Sequence, residues 1–265
     1  MLGPSHHDRD FPYWLVIVGL TVAWLFYEVL ANEIYTQALN TLIKGAWITL
    51  YVTVISYAGA SVLGLLLALA ALSRFILLRQ AARLYVEVVR GIPIIVLLLY
   101  VAFVVAPAMV AGWNAIAEPL GLSPVRTRDF PLIARAIMAL IIAYSSFLAE
   151  IFRAGLQSVD KGQIEAAESL GLNGWQRFRH IVFPQAFRVI LPPYGNDFVA
   201  MVKDSSLVSV LGVSDIAQLG KVTAAGNFRY FETYNIVALL YLTLTITLSL
   251  GLRRVEARMR KSHER

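Results

Sequence analysis

The chain carries no charged side chain between Gly45 and Ser73. That run exceeds the roughly 20 residues an α-helix needs to cross a hydrocarbon layer about 30 Å thick. Inside lipid no water satisfies backbone N–H and C=O groups, so a single segment there must be helical. Gly59, Ala60, Ser61, Gly64 and Ala68 lie along it as small residues that permit close helix packing. The rest of the chain repeats the pattern. Hydrophobic residues make up 58% and mean hydropathy is +0.66, too apolar for an ordinary soluble domain.

Five further segments read as spans. Residues 12–31 carry Trp14, Trp24 and Tyr27, aromatics suited to a membrane interface. A cleaved signal peptide fits them poorly: Arg9 is the sole lysine or arginine ahead of them, and no Ala-x-Ala site follows. A span begins at Arg90-Gly91-Ile92-Pro93 and runs to about Val110, with Pro93 in the first turn, where helices tolerate proline. Leu132–Ala149 is apolar apart from Arg135, and Thr233–Leu252 is a clean run before a basic tail. Phe187–Val213 differs in kind, because it contains Pro192, Pro193, Gly195, Asp197, Lys203 and Asp204. It is expected to be broken and enclosed by protein. The segments between spans, Gly112–Pro131 and Gly212–Thr233, read as connections, the first with a short helix near Trp113–Leu120 and the second helical around Val213–Ala225. No internal repeat or low-complexity stretch appears.

The fold class is therefore an all-α integral membrane protein with six transmembrane helices. Residues 1–40 form a tail and an added helix, 41–255 a core, and 256–265 a basic tail. Both termini then share one side, and that side holds 17 of the 23 lysines and arginines against 6 opposite. The positive-inside rule makes it cytoplasmic. The same placement explains the net charge of +6 without nucleic acid, since the basic residues flank apolar runs.

Orientation puts one amphipathic insert, Glu165–Pro184 (EAAESLGLNGWQRFRHIVFP), in the cytoplasm. It reads as two short helices joined at Gly171, together spanning about 161–183. Asp160 suits the first N-cap, with Gln163 at capping-box spacing, and Asn173 suits the second. Ile164, Ala167 and Leu170 give an apolar stripe, and Glu165, Glu168 and Ser169 a polar face. From pattern alone, a segment resting on the lipid surface fits as well as one docked on a protein.

The order Glu165-Ala166-Ala167, Gly171, Ile181, Pro184 resembles the EAA signature of ATP-binding-cassette importer permeases, with Phe183 where leucine is usual. Tyr85–Pro93, Ala149–Gly155, Lys161-Gly162-Gln163 and Lys203–Leu207 resemble the polar amino acid branch of that family, so the likeness covers roughly residues 45–255. The resemblance implies a five-helix core, here with an added N-terminal helix, and a coupling helix seated in a groove on a cytoplasmic ATPase through Glu165, Ala166, Ala167, Gly171, Ile181 and Pro184. It implies ATP-binding-cassette ATPase subunits, a second permease subunit identical or paralogous to this one, a solute-binding protein and an amino acid substrate as partners, all set in a bacterial inner membrane. Ile92 and Leu97 depart from the threonine and glutamine common at those positions. Arg90 fits both positive-inside anchoring and a part in coupling.

Enzymatic chemistry finds little support. No G-x-x-x-x-G-K-[ST] phosphate loop occurs, so ATP and Mg are expected on the partner ATPase and no cofactor in this chain. His6, His7, His180 and His263 form no H-E-x-x-H, and the absence of cysteine excludes disulfides and thiolate metal sites. A membrane scaffold that docks a cytoplasmic partner without moving solute is the competing reading.

Ionisable groups within spans are costly and mark pathways or partners. Candidate pathway residues are Tyr144, Ser145, Ser146 and Glu150 in the fourth span, with Asp204, Ser205 and Ser206 in the fifth. Two plain pairings compete with a ligand role: Glu150 with Arg153 at i,i+3, and Asp204 with Lys203.

Overall fold

A computed structural model describes residues 13–261, and the described residues are helical, without strands. The first helix, α1 (Tyr13–Ala31), ends at Asn32, whose extended backbone bends the chain while its side chain accepts from the Ile34 N–H at 3.0 Å. The Thr36 hydroxyl fastens the corner by donating to the Val29 carbonyl at 2.6 Å. Helix α2 (Glu33–Ala71) has 39 residues and, at 1.5 Å per residue, is about 58 Å long. That is nearly twice the hydrocarbon thickness, so its first turns overhang the membrane.

Helix α3 (Ile76–Gly91) leads through Pro93 into α4 (Ile94–Tyr100), a π turn (Val101–Val105) and α5 (Ala106–Ala117). Then come α6 (Leu132–Gln157), α7 (Lys161–Ser169), α8 (Gly174–Arg177), a second π turn (Phe178–Val182) and α9 (Phe183–Asp204). A 3-10 turn (Ser205–Leu211), α10 (Ile216–Asn227) and α11 (Tyr230–Lys261) complete the order. Each π turn ends two residues before a proline, Pro107 and Pro184. Proline has no N–H and crowds the carbonyl four residues back, and widening the ladder by one residue relieves both.

Helix α6 is the hub, packed on α2, α9 and α3. Its Leu140 and Leu148 are fully buried, with Val52, Leu98, Met201 and Val208 from neighbouring elements in the same core. At Gly64 the α2 backbone approaches so closely that an added Cβ would lie 2.9 Å from Leu148 Cβ and 3.0 Å from the Ser145 carbonyl. This is the close packing its small residues permit. A second core joins Leu25 and Val29 of α1, Tyr35, Ala38 and Leu42 of α2, Ile216 of α10, and Ile236 and Leu239 of α11. Beside it lies Asp215, fully buried, capping α10 by accepting from the Gln218 N–H at 2.8 Å and from the Tyr241 hydroxyl at 3.0 Å. Burial raises its carboxyl above the usual range.

Arg135, expected near a span end, is buried and spends its donors on carbonyls: Phe130 at 3.0 Å, Ala102 at 3.1 Å, and Thr127. It pins the connection before α6 to the π turn inside the preceding span.

Among the described residues, four helices are long and apolar enough to cross a membrane: α2, Ile94–Leu120, α6 and Tyr230–Ala257. The apolar part of α1, Val16–Ala31, is shorter. Several boundaries differ from the sequence expectation. The span expected from Arg90 starts after Pro93 and absorbs the short helix expected near Trp113–Leu120 as its own continuation. Helix α6 runs on to Gln157. Helix α9 is not broken at Pro192 and Pro193: the helix holds to Asp204 and only then tightens into a 3-10 turn. Packing against α6 and α11 outweighs the loss of two backbone donors. The stretch 1–12 lies outside the described residues, as do His6, His7 and Arg9.

Candidate functional site

Two regions carry the residues singled out by sequence. The first is the α7–α8 segment. Asp160 caps α7 by accepting from the Gly162 N–H at 2.9 Å. At the other end Gly171 sits at φ +76, the left-handed region that glycine enters without steric cost. There the Gly171 N–H reaches the Glu168 carbonyl at 2.9 Å and the Leu172 N–H the Ala167 carbonyl at 3.1 Å, the paired bonds of a Schellman turn. Asn173 and Gln176 then form a reciprocal capping box, both bonds 2.9 Å. Glu168 and Arg177 pair across the turn.

The expected capping box at Gln163 does not form. Its side-chain oxygen instead accepts from Gln185 at 2.6 Å, tying α7 to the start of α9. The second helix of the insert is also not separate, because the π turn and Pro184 carry α8 into α9 without a break. Rings of Trp175, Phe178, Phe183 and Phe187 follow one another along that junction with centroids 5.6–5.9 Å apart, the last two stacked and the others tilted. Ala167 is buried and Ile164 partly so, but Leu170 is 81% exposed and Trp175 69%. Glu165 and Ala166 face outward, while Ile181 and Pro184 are half-buried. The segment is rigid in its own hydrogen bonds yet presents an apolar, unoccupied edge.

The second region lies where α6, α9 and α2 meet. Tyr144, almost fully buried, donates from its hydroxyl to Asp204 Oδ2 at 2.8 Å. The other Asp204 oxygen has no hydrogen-bond partner among the described residues. Asp197, two turns earlier on the same face of α9, lies within electrostatic reach of Tyr57 and Tyr144 and is likewise unpartnered. The Tyr57 hydroxyl donates to the Tyr194 carbonyl, and the Tyr194 and Ser61 hydroxyls meet at 2.9 Å. Tyr57 also packs edge-on against Phe198, with centroids 5.1 Å apart.

Other sequence candidates are placed differently. Ser145, Ser146 and Ser205 are fully buried and donate to the carbonyls of Ile142, Ala143 and Val202 on their own helices, Ser145 also meeting Tyr85 at 2.9 Å. Ser206 is partly buried. Glu150 forms a forked pair with Arg153 at 2.6 and 3.2 Å, the i,i+3 arrangement. Lys203 is exposed and makes no ion pair with Asp204. Asp197 marks Phe187–Val213 as unusual in the sequence without being a pathway candidate there, although it stands seven residues before Asp204; Tyr57 and Tyr194 carry no sequence signal. Arg90 lies over the Phe147 ring, 5.6 Å from its centroid.

Comparison with known proteins supplies the family. The glutamine transport system permease protein GlnP of Escherichia coli (strain K12) is 35% identical over 223 residues, covering 84% of this chain and 94% of that protein. The L-cystine transport system permease protein TcyL of Bacillus subtilis (strain 168) is 34% identical over 218 residues, covering 82% and 87%. A crystal structure of an amino acid ABC transporter with histidines matches with TM-score 0.70 and 34% identity, over 86% of this chain and 97% of that one. Inward-facing MetNI methionine ABC transporter chains share the fold, with TM-score 0.63 at 21% identity. The model of the family described as binding-protein-dependent transport system inner membrane component matches residues 60–261, and the chain belongs to that family.

Proposed function

We propose that this chain is the membrane-spanning permease subunit of an ATP-driven amino acid importer, lining the path in α6 and α9 and coupling to ATPase subunits through Glu165–Pro184. The observation that carries the reading is mechanical. One continuous helix links the presented α8 edge to Asp197 and Asp204, so a displacement at the cytoplasmic end is delivered to the carboxylates. The unpartnered Asp204 oxygen and the Asp197 carboxylate suit the ammonium of an amino acid, by charge-assisted hydrogen bonding. Tyr144 fixes the Asp204 carboxylate in orientation.

Six spans with both termini cytoplasmic accommodate this arrangement, with α1 and α9 added to the four long apolar helices. Leu170, Trp175 and Ala166 then form the face offered to the ATPase groove, a helix-in-groove contact. A second permease subunit and a solute-binding protein complete the assembly, and nucleotide and Mg stay on the ATPase. The test is reconstitution in liposomes with ATPase and binding protein. ATP hydrolysis stimulated by liganded binding protein, with uptake of labelled amino acid, is the expected result. Association with the ATPase without stimulation or uptake would leave only a scaffold.

A further inference from the structure

Between the cytoplasmic ends of α9 and α11 lies an open cleft of about 550 Å³, lined by Arg188, Leu191 and Pro192 from one helix and Arg253, Glu256, Ala257 and Met259 from the other. Neither arginine has an ion-pair or hydrogen-bond partner among the described residues. Both are exposed, and they face a floor that is mostly apolar. Membrane-end clefts with cations above and hydrocarbon below match the amphipathic make-up of a phospholipid.

We infer that this cleft binds the phosphodiester headgroup of an anionic phospholipid, with an acyl chain against Leu191 and Pro192, which lie membrane-ward of Arg188. Charge argues for a monoanion: the Glu256 carboxylate on the same wall offsets one of the two arginines, leaving room for one negative charge rather than two. Position argues for lipid over a soluble anion, because both helices leave the bilayer here and Tyr230–Ala257 is itself a candidate span. Arginine's planar fork suits phosphate oxygens. Pro192 lacks an N–H, so the Arg188 carbonyl in the same wall loses its helical donor and can accept from a headgroup hydroxyl. The cleft's leaflet rests on the cytoplasmic orientation proposed above, but its lipid preference does not, so a detergent measurement separates the two.

The test uses the full chain, delipidated in detergent and offered equal phosphatidylglycerol and phosphatidylcholine of matched acyl chains, with retained lipid counted by native mass spectrometry. Wild type should retain phosphatidylglycerol in preference. A direct charge-assisted contact to a phosphate oxygen is worth about fivefold or more, so Arg188→Gln and Arg253→Gln should each lower the preference about fivefold and together roughly twentyfold or more. Arg254→Gln, one residue outside the lining, should change it less than twofold. Equal loss in Arg254→Gln, or undiminished preference in the double variant, overturns the site. Displacement of the lipid by millimolar inorganic phosphate assigns the cleft to a soluble anion and also overturns it. Because the chain has no cysteine, Ala257→Cys reports a competing occupant: disulfide-linked dimers, formed when isolated native membranes are treated with a copper–phenanthroline oxidant, would mean that a second copy covers the cleft. No such dimers are expected.

Discussion

Replacing Gly45 by alanine should destabilise the chain more than any other single methyl added on α2. An added Cβ would stand 2.6 Å from the Asp215 carbonyl carbon, 2.6 Å from the Ile216 nitrogen and 2.8 Å from the Asp215 oxygen. These are backbone atoms at the start of α10 and cannot rotate away. Carbon contacts prefer about 3.5–4.0 Å, so α10 must retreat by about 1 Å. That retreat weakens the Tyr241–Asp215 hydrogen bond, now 3.0 Å, and opens the already long Ile216 N–H to Thr49 contact of 3.4 Å. Overpacking costs about 1–3 kcal/mol and a bond to a buried carboxylate about 1.5–3 kcal/mol. The two share one displacement, so the joint cost is about 2–4 kcal/mol. At roughly 2–4 °C per kcal/mol for a chain of this size, Tm should fall by about 4–16 °C. The assay is thermal unfolding of the full chain in detergent, followed by tryptophan fluorescence. Gly251→Ala is the control, since its added Cβ meets nothing within 4 Å and alanine favours helix. Unfolding of the two variants within 2 °C of each other would refute the argument that α2 and α10 touch backbone to backbone.

Gly171→Val meets open space but forces a β-branched residue to φ +76, so it should strain the turn by about 1–2 kcal/mol. Membrane insertion should persist while stimulated ATP hydrolysis is lost, and wild-type coupling in reconstituted liposomes would contradict the assignment. Arg135→Gln strips charged donors from Phe130, Ala102 and Thr127. Cleavage within residues 121–131 by limited proteolysis should then rise at least tenfold, with the rest of the chain resistant. Asp204→Asn should raise the half-saturation concentration for uptake about tenfold or more, and Tyr144→Phe less than threefold, measured with saturating binding protein. Unchanged values in both would return the pair to a structural role. Glu150→Gln should alter uptake less than twofold and stability by less than about 1 kcal/mol, because the Arg153 pair is one-third exposed.

The Glu165–Pro184 segment is legible in the sequence where local rules decide it. Asp160, Gly171 and Asn173 take the cap positions that their chemistry dictates, because caps depend on neighbours within a turn. Gln163 shows where that logic stops: the spacing suits a capping box, yet the side chain reaches Gln185, which tertiary packing alone brings near. Leu170 is instructive in another way. It belongs to an apolar stripe, but periodicity does not say which chain buries it, and within this one it stays 81% exposed.

In helix α9, local propensity and tertiary packing pull against each other. Two successive prolines argue for a break at Pro192, and a break there would end the continuous helix that joins Glu165–Pro184 to Asp204. The chain keeps the helix whole by packing it between α6 and α11, and places its conformational change after Asp204, in the 3-10 turn. The serines follow the same division. A hydroxyl in an apolar helix either meets a ligand or returns to a carbonyl of its own turn, and composition cannot choose between them. Ser145, Ser146 and Ser205 return. The carboxylates of Asp197 and Asp204 have no such option, since an acceptor cannot bond a carbonyl. That is why acidic residues on α9, rather than hydroxyls on α6, are left with unfilled bonding capacity at the helix crossing.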